Sequence, residues 1–282
     1  MKLPTTVVDY RKLRLNNITS PEFRHVLLLI YWPLYLISFI ILEQLPTVLT
    51  IYSPLDDLIP CCEWFVIPYL GWMVSLLLLS LYTLAYDLDA FKRFMWTLIT
   101  TTIIAEICYL IWPNQQLLRL NLSELGRANP LTWVVNIIYT VDSNTNVCPS
   151  LHCIGAFAVF FCSHSTPRFR TKGWTAFFAI FAAFICASTV FIKQHSILDF
   201  FAAIPVSMLA YFLFYFPARK EIAAKKRYCK RTLLQGASFF VCRTYLSCMT
   251  CLRSMVQTWA MPFSSGLLKS TMSPARLKEG CW

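Results

Sequence analysis

The chain has 282 residues, of which 57% are hydrophobic, 16% aromatic and only 14% charged. Soluble domains carry roughly 25% charged residues, so the composition argues against a water-soluble globule, and 7 glycines rule out collagen-like and glycine-rich disordered chains. A net charge of +11 fits either nucleic-acid binding or a membrane protein with basic cytoplasmic segments; the positions of the charges decide between them.

A helix needs about 20 mainly apolar residues to cross roughly 30 Å of hydrocarbon. Residues 1–25, with Lys2, Arg11, Lys12, Arg14 and Arg24, form a basic N-terminal segment. The first predicted span runs from Val26 to about Ile41, with an extension to Leu49 left open, and is interrupted by Pro33 and Glu43. Its apolar stretch exceeds the h-region of a cleaved signal peptide, about 7–15 residues. The second span is Trp64 to Tyr86 and the third Phe94 to Trp112. A 37-residue connection, Pro113 to Pro149, follows. Within it Asn129-Pro130 is a helix start, and Asp142-Ser143-Asn144-Thr145-Asn146 is a turn cluster. The fourth span, Ser150 to Cys162, is short; the fifth is Trp174 to Ile192 and the sixth Ile197 to Phe216. The expected fold is therefore all-α, a polytopic membrane bundle of six transmembrane helices over residues 26–216. Residues 217–282 form a basic cytoplasmic tail, in which Leu233 to Leu252 is expected to lie at the interface.

Six crossings put all Lys and Arg on one face except Arg119, Arg127 and Lys193. Because basic residues concentrate in the cytoplasm, both termini are expected there, in an integral multi-pass protein. The three exceptions lie on the extracytoplasmic face.

Other polar groups gather at that same end. His152 stands at the entrance of the fourth span and His195 at that of the sixth, with Asp199 four residues on and so on the same helical face. A carboxylate there can take the proton of one imidazole nitrogen and leave the other free to attack. Ser150, after Pro149, offers a hydroxyl and a helix N-terminus, both suited to an anion. Arg119 and Lys193 would add positive charge for that anion. Two histidines, one held by a carboxylate, beside an anion site point to phosphoryl transfer.

At these residues the chain resembles the type-2 phosphatidic acid phosphatase and haloperoxidase superfamily. Pro149-Ser150-Leu151-His152 is similar to the family's Pro-Ser-Gly-His motif. Ser188, His195 and Asp199 match the spacing of its third motif, and Arg119 alone matches its first. Leu151 and the wording Tyr139…Asp142-Ser143…Asn146…Lys193-Gln194-His195 look more like the branch containing fungal inositol phosphorylceramide synthase and its bacterial relatives. Thr189 stands where the third motif has Arg, and Trp112 where the first has Lys. The resemblance implies a phosphohistidine route that requires neither metal nor cofactor. His195 would be the nucleophile oriented by Asp199, His152 the general acid, and Arg119, Ser150 and Lys193 the phosphate ligands. The expected substrate is a phospholipid or lipid phosphate, with membrane lipids as surroundings and no nucleic-acid partner. A lipid phosphatase, a headgroup transferase of the inositolphosphoryl type, and a non-catalytic scaffold or transporter are the three readings left open. No oligomeric state is indicated.

Outside this constellation, Asp142 reads as a turn residue, and Glu106 as a carboxylate hydrogen-bonded to another helix inside the membrane. Cys61, Cys62 and Cys148 share the outer face, where a disulfide is allowed by position but not derivable.

Overall fold

The structure is a computed structural model and is described for residues 6–122 and 126–217. The chain divides into two compact units, Met1–Lys220 and Glu221–Trp282. The second, with most of the predicted tail and its interfacial helix, lies outside the described residues. In chain order the first contains helices α1 (Tyr31–Leu42), α2 (Pro54–Leu58), α3 (Val66–Tyr86), α4 (Leu88–Ile111), α5 (Pro130–Val141), α6 (Leu151–Ser165), α7 (Lys172–Phe191) and α8 (Ile197–Ala210). A 3-10 stretch, Arg24–Ile30, leads into α1, and a π-helical turn, Tyr211–Tyr215, extends α8. Two short strands, β1 (Leu49–Thr50) and β2 (Asn114–Gln115), pair in parallel.

The helices are apolar outside as well as inside. Ile40, Leu78, Ile107, Phe184 and Phe212 are exposed, while Phe91, Phe94, Met95, Tyr109 and Ile185 form the buried core. Such all-round hydrophobicity suits a bilayer rather than water. Five segments are long and apolar enough to cross a membrane: Arg24–Leu42, Glu63–Tyr86, Leu88–Ile111, Lys172–Phe191 and Ile197–Tyr215.

The expected fourth span is a helix of only 15 residues, Leu151–Ser165. At 1.5 Å per residue it is about 22 Å long, short of the hydrocarbon thickness, so the described residues hold five span-length helices rather than the six expected. Its path is nonetheless end to end. It starts beside the end of α4, where the Tyr109 hydroxyl donates to the Pro149 carbonyl at 2.6 Å. The turn after it brings Phe169 against Tyr82, near the end of α3, with ring centroids 4.9 Å apart. Small residues, Gly155, Ala156 and Ala158, are buried along it and allow close packing. A Cβ on Gly155 would overlap the Trp72 indole nitrogen.

The third span starts earlier than expected, at Leu88, because the Asp87 carboxylate caps it by accepting the Ala90 N–H at 3.0 Å. Lys92 and Arg93 therefore stand on the first two turns of a helix, not in a loop. The connection between α4 and α6 is built on buried amides. Asn114 accepts the backbone N–H groups of Val147 and Cys148 at 2.8 and 2.9 Å, and Gln116 donates to the Lys193 carbonyl at 3.1 Å. The helix expected at Asn129-Pro130 is present, with Asn129 accepting the N–H groups of Leu131 and Thr132. Glu106 meets a neighbouring helix, as expected: it accepts the Ser38 hydroxyl of α1.

Candidate functional site

The site lies where α6 and α8 begin. Ser150 is extended (φ −66°, ψ 116°) and caps α6 by accepting the Cys153 N–H at 3.4 Å. This places His152 on the first turn. Its ring is held between two aromatic rings of α3, Tyr69 at 4.5 Å and Trp72 at 4.3 Å between centroids.

His195 comes from the tight link between α7 and α8. Both the Gln194 and His195 N–H groups donate to the Thr189 carbonyl, at 2.9 and 3.0 Å. Ser196 then caps α8, and its own N–H donates to Asp199 Oδ2 at 3.0 Å. The same oxygen lies 3.1 Å from His195 Nδ1. An ionised carboxylate only accepts, so Nδ1 carries the proton and Nε2 keeps its lone pair. His195 Nε2 lies 3.3 Å from His152 Nδ1. His152, His195 and Asp199, drawn from positions 43 and 4 residues apart, thus form one hydrogen-bonded chain. The Ser150 N–H donates to the Asp199 backbone carbonyl at 3.2 Å and joins the two helix starts directly.

The electrostatics of His195 follow from this packing. Burial alone would push its imidazole down, but the hydrogen bond and charge of Asp199 outweigh burial and hold it above the ordinary histidine range. Asp142 is a nearby second carboxylate. Burial pushes it up, against the Tyr69 hydrogen bond and the charges of His195 and Arg119.

The two expected cations are not at the histidines. Arg119 gives its guanidinium to the carbonyls of Tyr139, Asp142 and Ser143 and to the Gln194 side chain, at 2.6–2.8 Å, and lies over the Tyr139 ring. Lys193, in the left-handed region at φ 57°, donates its ammonium to the carbonyls of Asp56 and Ile59, both at 2.6 Å. Both residues line a cavity of about 710 Å³ with Tyr52, Asp57, Ile59 and Leu118, and neither histidine lines it. Ser150 is fully buried beside His152, with its hydroxyl engaged as the α6 cap. Of the six expected residues, then, His152, His195, Asp199 and Ser150 come together. Arg119 and Lys193 act as clamps on loop carbonyls, because burial forces their N–H groups onto the nearest acceptors.

Several neighbours were not anticipated. Asp142 ends α5, yet its carboxylate accepts from the Tyr69 hydroxyl at 3.0 Å and the Gln194 amide at 3.3 Å. Gln194 therefore links Asp142 to Arg119, and Tyr69 links it to the His152 ring. The sequence signals were Asp142 and Gln194 in the wording that resembles the transferase branch; Tyr69 and Trp72 lay unmarked within the second apolar span. Among the described residues no group of three or more His, Cys, Asp or Glu side chains is placed to hold a metal ion. Cys61, Cys62 and Cys148 are all free thiols. Cys148 sits beside Asp199, and burial and that carboxylate push its thiol up to about 12. No family model, no curated protein and no solved structure matches this chain.

Proposed function

We propose that the protein is an integral-membrane, metal-independent phosphoric ester hydrolase or phosphotransferase acting on a lipid phosphoester through a phosphohistidine. One observation carries the reading: the His152–His195–Asp199 chain, in which a carboxylate fixes one imidazole and a second imidazole stands at its free nitrogen. In this mechanism His195 Nε2 attacks phosphorus, and Asp199 keeps the proton on Nδ1 and offsets the charge that develops on the ring. His152 protonates the departing alkoxide. The 3.3 Å between His152 Nδ1 and His195 Nε2 is a hydrogen-bond distance, so the phosphoryl group enters by displacing that bond. The phosphoenzyme is resolved by water, giving a phosphatase, or by a lipid hydroxyl, giving a headgroup transferase. The His152–His195–Asp199 and Ser150 constellation is the part of the type-2 phosphatidic acid phosphatase pattern that supports membership of that superfamily. In this reading α6 is the fourth of six crossings. Both termini lie in the cytoplasm, and the site opens on the extracytoplasmic face at or slightly below headgroup level, which suits a lipid phosphate.

A second reading, a non-catalytic membrane protein with a structural His–Asp pair, is favoured by one observation. The two cations expected to bind phosphate are spent on carbonyls. Trapping an acid-labile phosphohistidine from labelled lipid phosphates decides between them. The label is expected in the native chain and absent from His195→Ala; undiminished turnover in His195→Ala sinks the enzymatic reading. Adding a lipid alcohol then separates release of phosphate from its transfer.

A further inference from the structure

We propose that Asp56 is a positioning residue for His195: a buried carboxylate from α2 that fixes the first turn of α8 and, through it, the Asp199–His195 pair. The proposal rests on the phosphohistidine reading for its kinetic consequence but not for its geometry.

Asp56 is 0% exposed, and both of its oxygens are used. Oδ2 accepts the Ser196 hydroxyl at 2.6 Å and the Ser53 N–H at 2.9 Å, and Oδ1 accepts the Ile197 N–H at 2.8 Å. The Asp56 and Ile59 backbone carbonyls hold the Lys193 ammonium. Positions 193, 196 and 197 are thereby pinned to the segment 53–59, and the pinned positions bracket His195. Lys193 has a left-handed backbone, which favours glycine; the two carbonyls on its ammonium hold that conformation in place.

The link to the candidate nucleophile is short. Ser196, whose hydroxyl Asp56 holds, donates its N–H to Asp199 Oδ2, the oxygen that also faces His195 Nδ1. Only an acceptor-only group satisfies three converging donors, and a negative charge is favoured at a helix N-terminus. An Asn at 56 keeps one accepting oxygen and turns an NH₂ toward a donor. Whichever way it turns, that NH₂ meets the backbone N–H of Ser53 or of Ile197, which can only donate; the hold on the first turn of α8 loosens, and with it the Ser196 N–H on Asp199 and the position of His195.

The test uses the full chain in lipid nanodiscs, with Asp56→Asn and Ser196→Ala. Two readouts are needed, because a merely structural role would change stability alone. One is the titration of the His195 imidazole followed by histidine NMR, assigned with His195→Ala. The groups facing that ring are Asp199, His152, Cys153 and Asp142. The expected result is a lower His195 midpoint in Asp56→Asn and a smaller shift of the same sign in Ser196→Ala. The other readout is turnover of a lipid phosphate, where Asp56→Asn should lose about 10- to 100-fold in kcat with KM little changed, as misplacement by an ångström does. A folded Asp56→Asn with native titration and native kcat overturns the proposal, and so does a rise in KM alone. If the native chain turns over no lipid phosphate, the function assigned above fails, while the titration still judges Asp56. If Asp56→Asn does not fold, Ser196→Ala decides by the same two measurements.

Discussion

The two ends of the polar inventory behave differently. Within the spans, several hydroxyls bond back to their own helix: Thr83 to Leu79, Thr97 to Arg93, Thr101 to Thr97, Ser207 to Ala203, all at 2.7–2.8 Å, with Ser38–Glu106 and Tyr31–Thr102 as cross-helix exceptions. At the end holding the histidines, polar side chains reach across the sequence. Tyr109 meets Pro149, Arg119 meets Gln194, and Asp56 meets Ser196, with separations of 40, 75 and 140 residues. The first pattern conceals polarity from lipid at no cost in long-range order. The second requires distant segments to meet with their buried polar groups paired, since each one left unpaired costs roughly 1–3 kcal/mol.

The largest effect expected on breaking the second pattern is at Asp199. Asp199→Asn should lower turnover by on the order of 10⁴-fold, the scale for disorienting a catalytic imidazole. It should also move the pH profile. In the proposed mechanism the neutral ring is the attacking form, and Asp199 holds His195 above its ordinary range. Native turnover is therefore lost as the pH falls through that raised midpoint, and in Asp199→Asn the acid limb moves to lower pH. An acid limb that stays in place would show that His195 is not the titrating nucleophile. His152→Ala should cost about 10²–10⁴-fold with an alkyl phosphate, the range for a general acid, and far less with a nitrophenyl phosphate, whose leaving group needs no proton. Equal losses on both substrates would remove His152 from that role.

Smaller effects sharpen the comparison through stability in detergent. Gly155→Ala sets a Cβ against the Trp72 ring and should cost about 1–3 kcal/mol by overpacking; a change in His152 reactivity should accompany it, because Trp72 packs on that ring. Tyr109→Phe leaves the Pro149 carbonyl without its partner and should cost roughly 1–3 kcal/mol. Thr101→Val, which removes a hydroxyl bonded to its own helix, should cost about 1 kcal/mol or less. Thermal unfolding of the last two side by side tests the contrast directly; equal losses would erase it.

Legibility in the sequence followed the same division. Spans one, two, five and six are readable within about two residues from their long apolar runs, whereas the third begins six residues before Phe94, just after the Asp87 cap. The His195–Asp199 pair was readable from its four-residue spacing, and the helix at Pro130 from its Asn129 cap. For Arg119 and Lys193 the sequence showed the charge but not the carbonyl partners that they have in the structure. Charge and position say where a cation lies, not which carbonyls surround it once water is removed. Asp56, in a short capped helix far from any motif, gave no signal at all.

The sequence by itself determined an apolar helical chain, with its chemistry-bearing side chains collected at one end of the helices. That much follows from periodicity, caps and the distribution of charge along the chain. Only the tertiary structure decided that His152 touches His195, that Arg119 and Lys193 grip carbonyls, and that Asp56 holds the start of α8. Those outcomes depend on which buried donors find which acceptors across long separations, and no local rule of sequence encodes that pairing.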